Sequence, residues 1–285
     1  MRIDLHTHST ASDGTLAPAE LVRAAVSARL DVVALTDHDT VAGWAEARAA
    51  AAGAGVTLVP GVEFSCRWYG VEPAIPLHML GYYVNPAHVA LSAEMTRVRE
   101  ARERRAERII SLMRADGVDV TWDEVREYAG GGTVGRPHLA QALIKRGLAA
   151  TVGDAFAPHM LGERWRLPKD DTDVFTAVAL IRAAGGVPVF AHPRATRRGR
   201  VVPDELIGQL AAAGLFGLEA DHEDHTPAQR AEVRALAGSL GLAVTGSSDF
   251  HGANKTVKLG ANLTAPEVYE QILGAATLPF PWDSL

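Results

Sequence analysis

The sequence predicts an α/β protein, a parallel sheet or barrel interrupted by a helical insertion. Short apolar runs of strand character alternate with amphipathic or alanine-rich segments at both ends of the chain. Between them, residues 86–173 carry helical patterning and no convincing strand. The 285 residues suit one large domain or a domain with a sizeable insertion. The reading is therefore a barrel from residues 1–85 and 174–285, with residues 86–173 as a helical cap.

Residues 2–5 alternate polar and apolar and read as a short strand. Pro18 fits the first turn of a helix reaching about Arg29. Residues 31–36 form a continuous apolar run, as in a strand buried on both faces, and residues 41–54 read as a helix closed by Gly55. Residues 57–63 are a third strand. The alternation then breaks: 64–68 continue as strand, 69–76 are turn-like, and 77–84 are strand again. That gap has no room for a helix, so a hairpin is expected. A fold about residues 69–72 places Glu63 opposite His78.

Within the insertion, residues 89–114 read as one long helix with arginines at 97, 99, 102, 104, 105 and 108 among glutamates. The favoured reading is a solvated face stitched by i,i+4 pairs, the rival a basic rim for polyphosphate or RNA. Residues 122–128, 136–148 and 152–161 read as shorter helices. Gly135-Arg136-Pro137-His138 puts two phosphate-compatible side chains at a helix start. Helices at 172–184, 203–213, 227–240 and 266–273 then alternate with strands at 186–191, 215–219 and 242–245, giving seven strand candidates in all. The tail from Thr277 is expected to pack as coil.

Histidines and carboxylates recur where these strands end. His6 and His8 sit two apart on an extended segment, so both imidazoles leave one side. Asp13 follows in a Ser/Asp/Gly turn. Asp249 and His251 repeat the spacing near the other end of the chain. Asp37-His38-Asp39, Glu63, His78 and His192 each lie in or after an apolar run. Imidazole and carboxylate are metal ligands, and strand C-termini are where barrels build active sites. The single Cys66 excludes an internal disulfide and a cysteine-based zinc site. A net charge of −6 offers no overall field for nucleic acid. No 18-residue apolar run occurs and the chain opens directly on the histidine strand, so no signal peptide or membrane span is expected, and a cytoplasmic location is.

In this order, His6-Thr7-His8 with Asp13, Thr36-Asp37-His38, Gly61-Val62-Glu63, His78 before Leu80-Gly81, Ala191-His192-Pro193 and Asp249-Phe250-His251 resemble the PHP (polymerase and histidinol phosphatase) superfamily, related to the amidohydrolases. The resemblance covers nearly the whole chain. The insertion carrying Gly135 to His138 resembles stand-alone PHP phosphoesterases that act on nucleoside 3′,5′-bisphosphates and short 5′-phosphorylated RNA. It implies a distorted (β/α)7 barrel holding two to three divalent ions, usually Mn, Zn or Fe. By position, one ion takes His6, His8, Glu63 and Asp249. A second shares Glu63 and takes His78 and His192, and a third takes Asp13, His38 and His251.

Such a site stays net positive with its three carboxylates and attracts a phosphate dianion. The expected activity is metal-dependent release of phosphate from a nucleotide. Arg136 and His138 are the candidate catalytic and substrate-binding side chains, and Arg194 and His222 are further candidate substrate contacts. Alternatives within phosphoesterases are a cyclic phosphate or histidinol phosphate substrate. Those of another class are amide or lactone hydrolysis and a non-catalytic metal- or nucleotide-binding module.

Overall fold

A strand buried on both faces needs helices or other strands against each face, and the alternating sequence supplies them. The computed structural model describes residues 1–130, 132, 134–277 and 280. Its first part runs β1 (Ile3–Asp4), α1 (Pro18–Ser27), β2 (Val32–Leu35), α2 (Trp44–Ala51), β3 (Thr57–Trp68) and β4 (Ile75–Tyr82). Four helices follow: α3 (Val89–Ala115), α4 (Trp122–Ala129), α5 (Arg136–Lys145) and α6 (Val152–Ala155). The last part is β5 (Thr172–Asp173), α7 (Val174–Ala183), β6 (Val187–Phe190), α8 (Asp204–Ala212), β7 (Gly217–Asp221), α9 (Pro227–Leu240), β8 (Ala243–Gly246) and α10 (Pro266–Ala275).

Seven strands line up as β1-β2-β3-β4-β6-β7-β8. Thr7 bridges Phe250 in the parallel sense, and the His8 N–H donates to the Phe250 carbonyl at 2.9 Å. The sheet's two ends thus meet in a nearly closed, distorted (β/α)7 barrel. The distortion is β4, antiparallel to both β3 and β6, whereas the other ladders are parallel. The hairpin is present, but its register differs from the expected one. Glu63 pairs with Leu80 and Ser65 with His78, because the ladder continues to Trp68–Ile75 and the turn falls later. A slip of two residues preserves the face, so Glu63 and His78 remain diagonal neighbours.

Two further expectations need correction, and a third is not tested. Residues 86–173 are not free of strand: Thr172–Asp173 pairs with Cys66–Arg67, so the helix expected from 172 begins at Val174. The helix expected over 152–161 stops at Ala155, and Pro158, which cannot continue a helix, opens a separate π turn, Pro158–Gly162. The tail, apart from Thr277 and Phe280, lies outside the described residues.

Two hydrophobic cores form. One fills and surrounds the barrel; the other is built from residues between Ala106 and Trp165. The long helix α3 joins them, with Leu91 and Met95 in the first core and Ile109 and Met113 in the second. Its start is fixed by His88, whose Nδ1 accepts the Leu91 N–H at 3.2 Å. Among the described residues no helix is long and apolar enough to cross a membrane.

Candidate metal centre

The strand ends converge on one buried cluster. β1 delivers His6 and His8, β2 delivers His38, β3 carries Glu63 and β4 carries His78. β6 delivers His192, and β8 delivers Asp249 and His251. The β4 reversal brings His78, near the start of its strand, to the same mouth. Backbone strain marks the site: His192 (φ 35°), Asp249 (φ 53°) and Asp39 (φ 55°) occupy the left-handed region, which side chains normally avoid.

The spacing of the donor atoms tests whether they fit an ion. His6 Nε2 lies 3.2 Å from Glu63 Oε2 and 3.4 Å from Asp249 Oδ1. His8 Nε2 lies 3.1 and 3.3 Å from the same two oxygens. Yet His6 Nε2, His8 Nε2 and Asp249 Oδ1 make no hydrogen bond and are fully buried. Ligands placed tetrahedrally about 2.1 Å from one ion stand about 3.4 Å apart. Four buried donors facing a common point at that spacing fit a divalent ion.

The other expected ligands surround this group. His38 Nδ1 is 3.1 Å from Glu63 Oε2, His78 Nδ1 is 2.7 Å from Glu63 Oε1, and His192 Nε2 is 3.2 Å from Glu63 Oε1. Asp13 lies 3.3 Å from His251 Nε2 and 3.8 Å from His38 Nε2. Three groups have the geometry to hold a cation: His6, His8, Glu63 and Asp249; His8, Asp13, His38 and His251; and His38, Glu63 and His78. The third differs from expectation in pairing Glu63 and His78 with His38. Electrostatics follow from the crowding. Burial opposes protonation of His8, but Asp249 and Glu63 push its pKa up to about 9. Burial likewise opposes ionisation of Glu63, yet His38, His78 and His6 hold it well below the usual carboxylate range.

Partners behind the ligands fix their orientation. Glu219, fully buried on β7, accepts from His6 Nδ1 at 3.0 Å, from the His192 N–H at 2.8 Å and from the Ser247 hydroxyl. With its proton on Nδ1, His6 turns the Nε2 lone pair into the cluster. His251 Nδ1 donates to the Asp249 carbonyl at 2.8 Å, which leaves its Nε2 facing Asp13. Glu219 had no role in the sequence reading; its only signal was an acid inside an apolar strand run. Glu219→Gln should lower metal affinity by about 10- to 100-fold with the fold retained, as metal titration followed by circular dichroism would show. Unchanged affinity would remove Glu219 from the site.

Of the candidate substrate contacts, two are engaged elsewhere. Arg194 is buried, and its guanidinium is used by Asp204, by Glu232 at 2.7 Å and by the Val202 carbonyl at 2.9 Å. His222 Nδ1 accepts the Asp224 N–H at 2.9 Å, so Nε2 carries the proton and donates to Asp249 Oδ2 at 3.1 Å. It orients a candidate metal ligand and is almost wholly buried. Two cations absent from the sequence reading reach the cluster instead: Arg198 Nη2 and Lys255 Nζ each lie 2.6 Å from Asp249 Oδ2. Arg136 opens α5, with Nη1 donating to the Leu161 carbonyl at 3.4 Å and its guanidinium 5.0 Å from the Phe156 ring centre. His138 Nδ1 accepts the Gly135 N–H at 3.0 Å and feels the charges of Asp13 and Arg102.

Known proteins resemble this chain along most of its length. Residues 4–121 match the PHP domain. A 5′-3′ exoribonuclease of Haemophilus influenzae is 35% identical over 264 residues, 92% of this chain and 94% of the relative. A 3′,5′-nucleoside bisphosphate phosphatase of Chromobacterium violaceum is 33% identical over 257 residues, 87% of each chain. A crystal structure from Bifidobacterium adolescentis, described as a metal-dependent phosphoesterase, superposes with a TM-score of 0.91 at 35% identity over 97% of both chains.

Proposed function

The chain belongs to the PHP-domain family and is a metal-dependent phosphoesterase, and on that premise we propose that it hydrolyses a phosphate ester of nucleoside 3′,5′-bisphosphates or of short 5′-phosphorylated oligoribonucleotides. The observation that carries the reading is the spacing of unbonded donors, His6 and His8 Nε2 with Asp249 Oδ1 around Glu63. The relatives' substrates supply the chemical class.

His6, His8, Glu63 and Asp249 would hold one ion, Glu63, His78 and His192 a second, and Asp13, His38 and His251 a third, each Mn, Zn or Fe. Such ions supply a nucleophile from water at neutral pH and neutralise charge on the phosphoryl oxygens. The chain's own residues do the rest. Glu219 and His222 fix the donors' orientations. Arg198 and Lys255, at the edge of the cluster, would balance the charge of Asp249, and Arg198 also donates to Asp224 and His192. Residues 86–173 act as the cap, from which Arg136 and His138 reach the substrate. A cytoplasmic location suits a nucleotide substrate.

Binding energy from a second phosphate can orient the first for in-line attack. Arg136→Ala should therefore lower kcat/KM for adenosine 3′,5′-bisphosphate by about 10²-fold, the scale of one charge-assisted phosphate contact in a closed site. The test is steady-state turnover by the Mn-loaded protein, read as phosphate released from that bisphosphate and from an aryl phosphate and as 5′-nucleotide released from a 5′-phosphorylated trinucleotide. Good turnover of a cyclic phosphate with none on the first two would defeat the substrate assignment.

A further inference from the structure

The long arginine-rich helix does not present only a solvated face. Arg97 pairs with Glu94, and Arg104 with Glu100, as such a face would. Arg102 and Arg105, however, point inward. Arg105 is only 6% exposed, and among the described residues it makes no hydrogen bond or ion pair; its Nε is a buried donor without an acceptor. Arg102 donates to Ser65 and meets Asp39 Oδ2 at 3.0 Å, while its Nε is also unsatisfied. Arg67 and Lys169 approach the buried Asp171 to only 3.8 Å each, and Asp171 Oδ2 has no hydrogen bond. With Arg136, these are five cations around Asp171; the other carboxylates acting on the group, Asp39, Asp13 and Glu63, do so through Arg102.

Buried charge without a partner is costly, and native structures rarely leave it so. Here the cations also repel one another. Burial, with Arg102 beside it, pushes the Arg105 guanidinium down to about 10. Burial, followed by Arg102, Arg105 and Arg136, pushes Lys169 down to about 8 despite Asp171. An anion in their midst would satisfy the free N–H groups and relieve the repulsion. The position is informative as well. Ser65, which accepts from Arg102, is paired with His78 across the β3–β4 ladder, and His78 contacts Glu63. The cation cluster therefore adjoins the candidate metal centre.

We propose that Arg102, Arg105, Arg136 and Lys169 form a second anion subsite, beside the carboxylate–imidazole cluster, that holds the phosphate of the nucleotide substrate that is not being cleaved. The proposal rests on the phosphoesterase reading of that cluster and extends it. A compact phosphate group suits an enclosed set of guanidinium forks and one ammonium. A bisphosphate or 5′-phosphorylated oligonucleotide carries both anions at once, whereas a simple monoester fills only one end.

The test titrates the full chain, freed of metal by a chelator, with adenosine 3′,5′-bisphosphate by calorimetry. Wild type should bind it, and Arg105→Met and Lys169→Met should each weaken binding by about 10-fold or more, the scale of a lost charge-assisted contact. Without ligand, Arg105→Met should melt no lower than wild type, because an unpaired buried charge has been removed. Unchanged affinity in both variants would overturn the subsite. So would a ligand-free Arg105→Met protein that melts several degrees lower, since Arg105 would then be structural. Kinetics separate this idea from the substrate assignment. Arg105-dependent binding of a bisphosphate that the Mn-loaded enzyme does not hydrolyse leaves the subsite standing and defeats the substrate. Equal losses of kcat/KM on bisphosphate and aryl phosphate, with the bisphosphate still hydrolysed, defeat the subsite and leave the substrate.

Discussion

Glu63→Gln is expected to lower kcat/KM by about 10³-fold or more and to reduce bound metal, because one carboxylate serves most of the cluster. Its Oε2 lies 3.2 Å from His6, 3.1 Å from His8 and 3.1 Å from His38, and its Oε1 lies 2.7 Å from His78 and 3.2 Å from His192. Glutamine keeps the shape but loses the negative charge and one acceptor. It would also aim an amide N–H at ring nitrogens whose lone pairs must face an ion. Metal content by plasma emission and phosphate release on one preparation would check this. A variant with wild-type metal content and activity would falsify the shared role of Glu63.

Removing metal should abolish hydrolysis without unfolding the chain. The cluster holds its own counter-charges: Arg198 and Lys255 each meet Asp249 at 2.6 Å, and the imidazoles crowd Glu63. Burial resists ionising Asp249, but Lys255, His6, His251 and Arg198 keep it well below the usual carboxylate range. A chelator should therefore bring activity to background while circular dichroism stays native, and Mn should restore turnover. Metal at about a hundred times its dissociation constant adds about 2.7 kcal/mol of stability, roughly 5 °C in melting temperature for a chain of this size. Full activity persisting after exhaustive chelation would rule out the metal-dependent reading for this chain.

Much of the candidate site was legible because its residues obey local rules. His6 and His8, and Asp249 and His251, share a period-two spacing that sets them on one side of an extended chain. His38 and His192 directly follow apolar runs, and such runs end at a barrel's active face. The reversal of β4 was legible from a gap too short for a helix, yet its register was not. Two registers that differ by two residues bury the same faces, so apolar patterning cannot choose between them.

Long-range selection among similar residues was not legible. Six arginines lie between residues 97 and 108 on one helix, and sequence treats them alike. Which of them turn inward is set by how α3 spans two cores, burying Arg102 and Arg105 and leaving Arg104 in solvent. Arg194 lies two residues from a candidate ligand in sequence but is held by Asp204 and Glu232, while Arg198, four residues on, reaches Asp249. Glu219 likewise became a partner of His6 only through the order of strands around the barrel.

By itself, then, the sequence determined the alternating α/β architecture, the run of helices after the fourth strand and the residue types that gather at the strand ends, because each follows from spacing along a few residues. Only the tertiary structure decided the β4 register, the partners behind each ligand and the inward-facing cations. Those depend on contacts between segments far apart in the chain, where packing and the pairing of buried charge outweigh anything local.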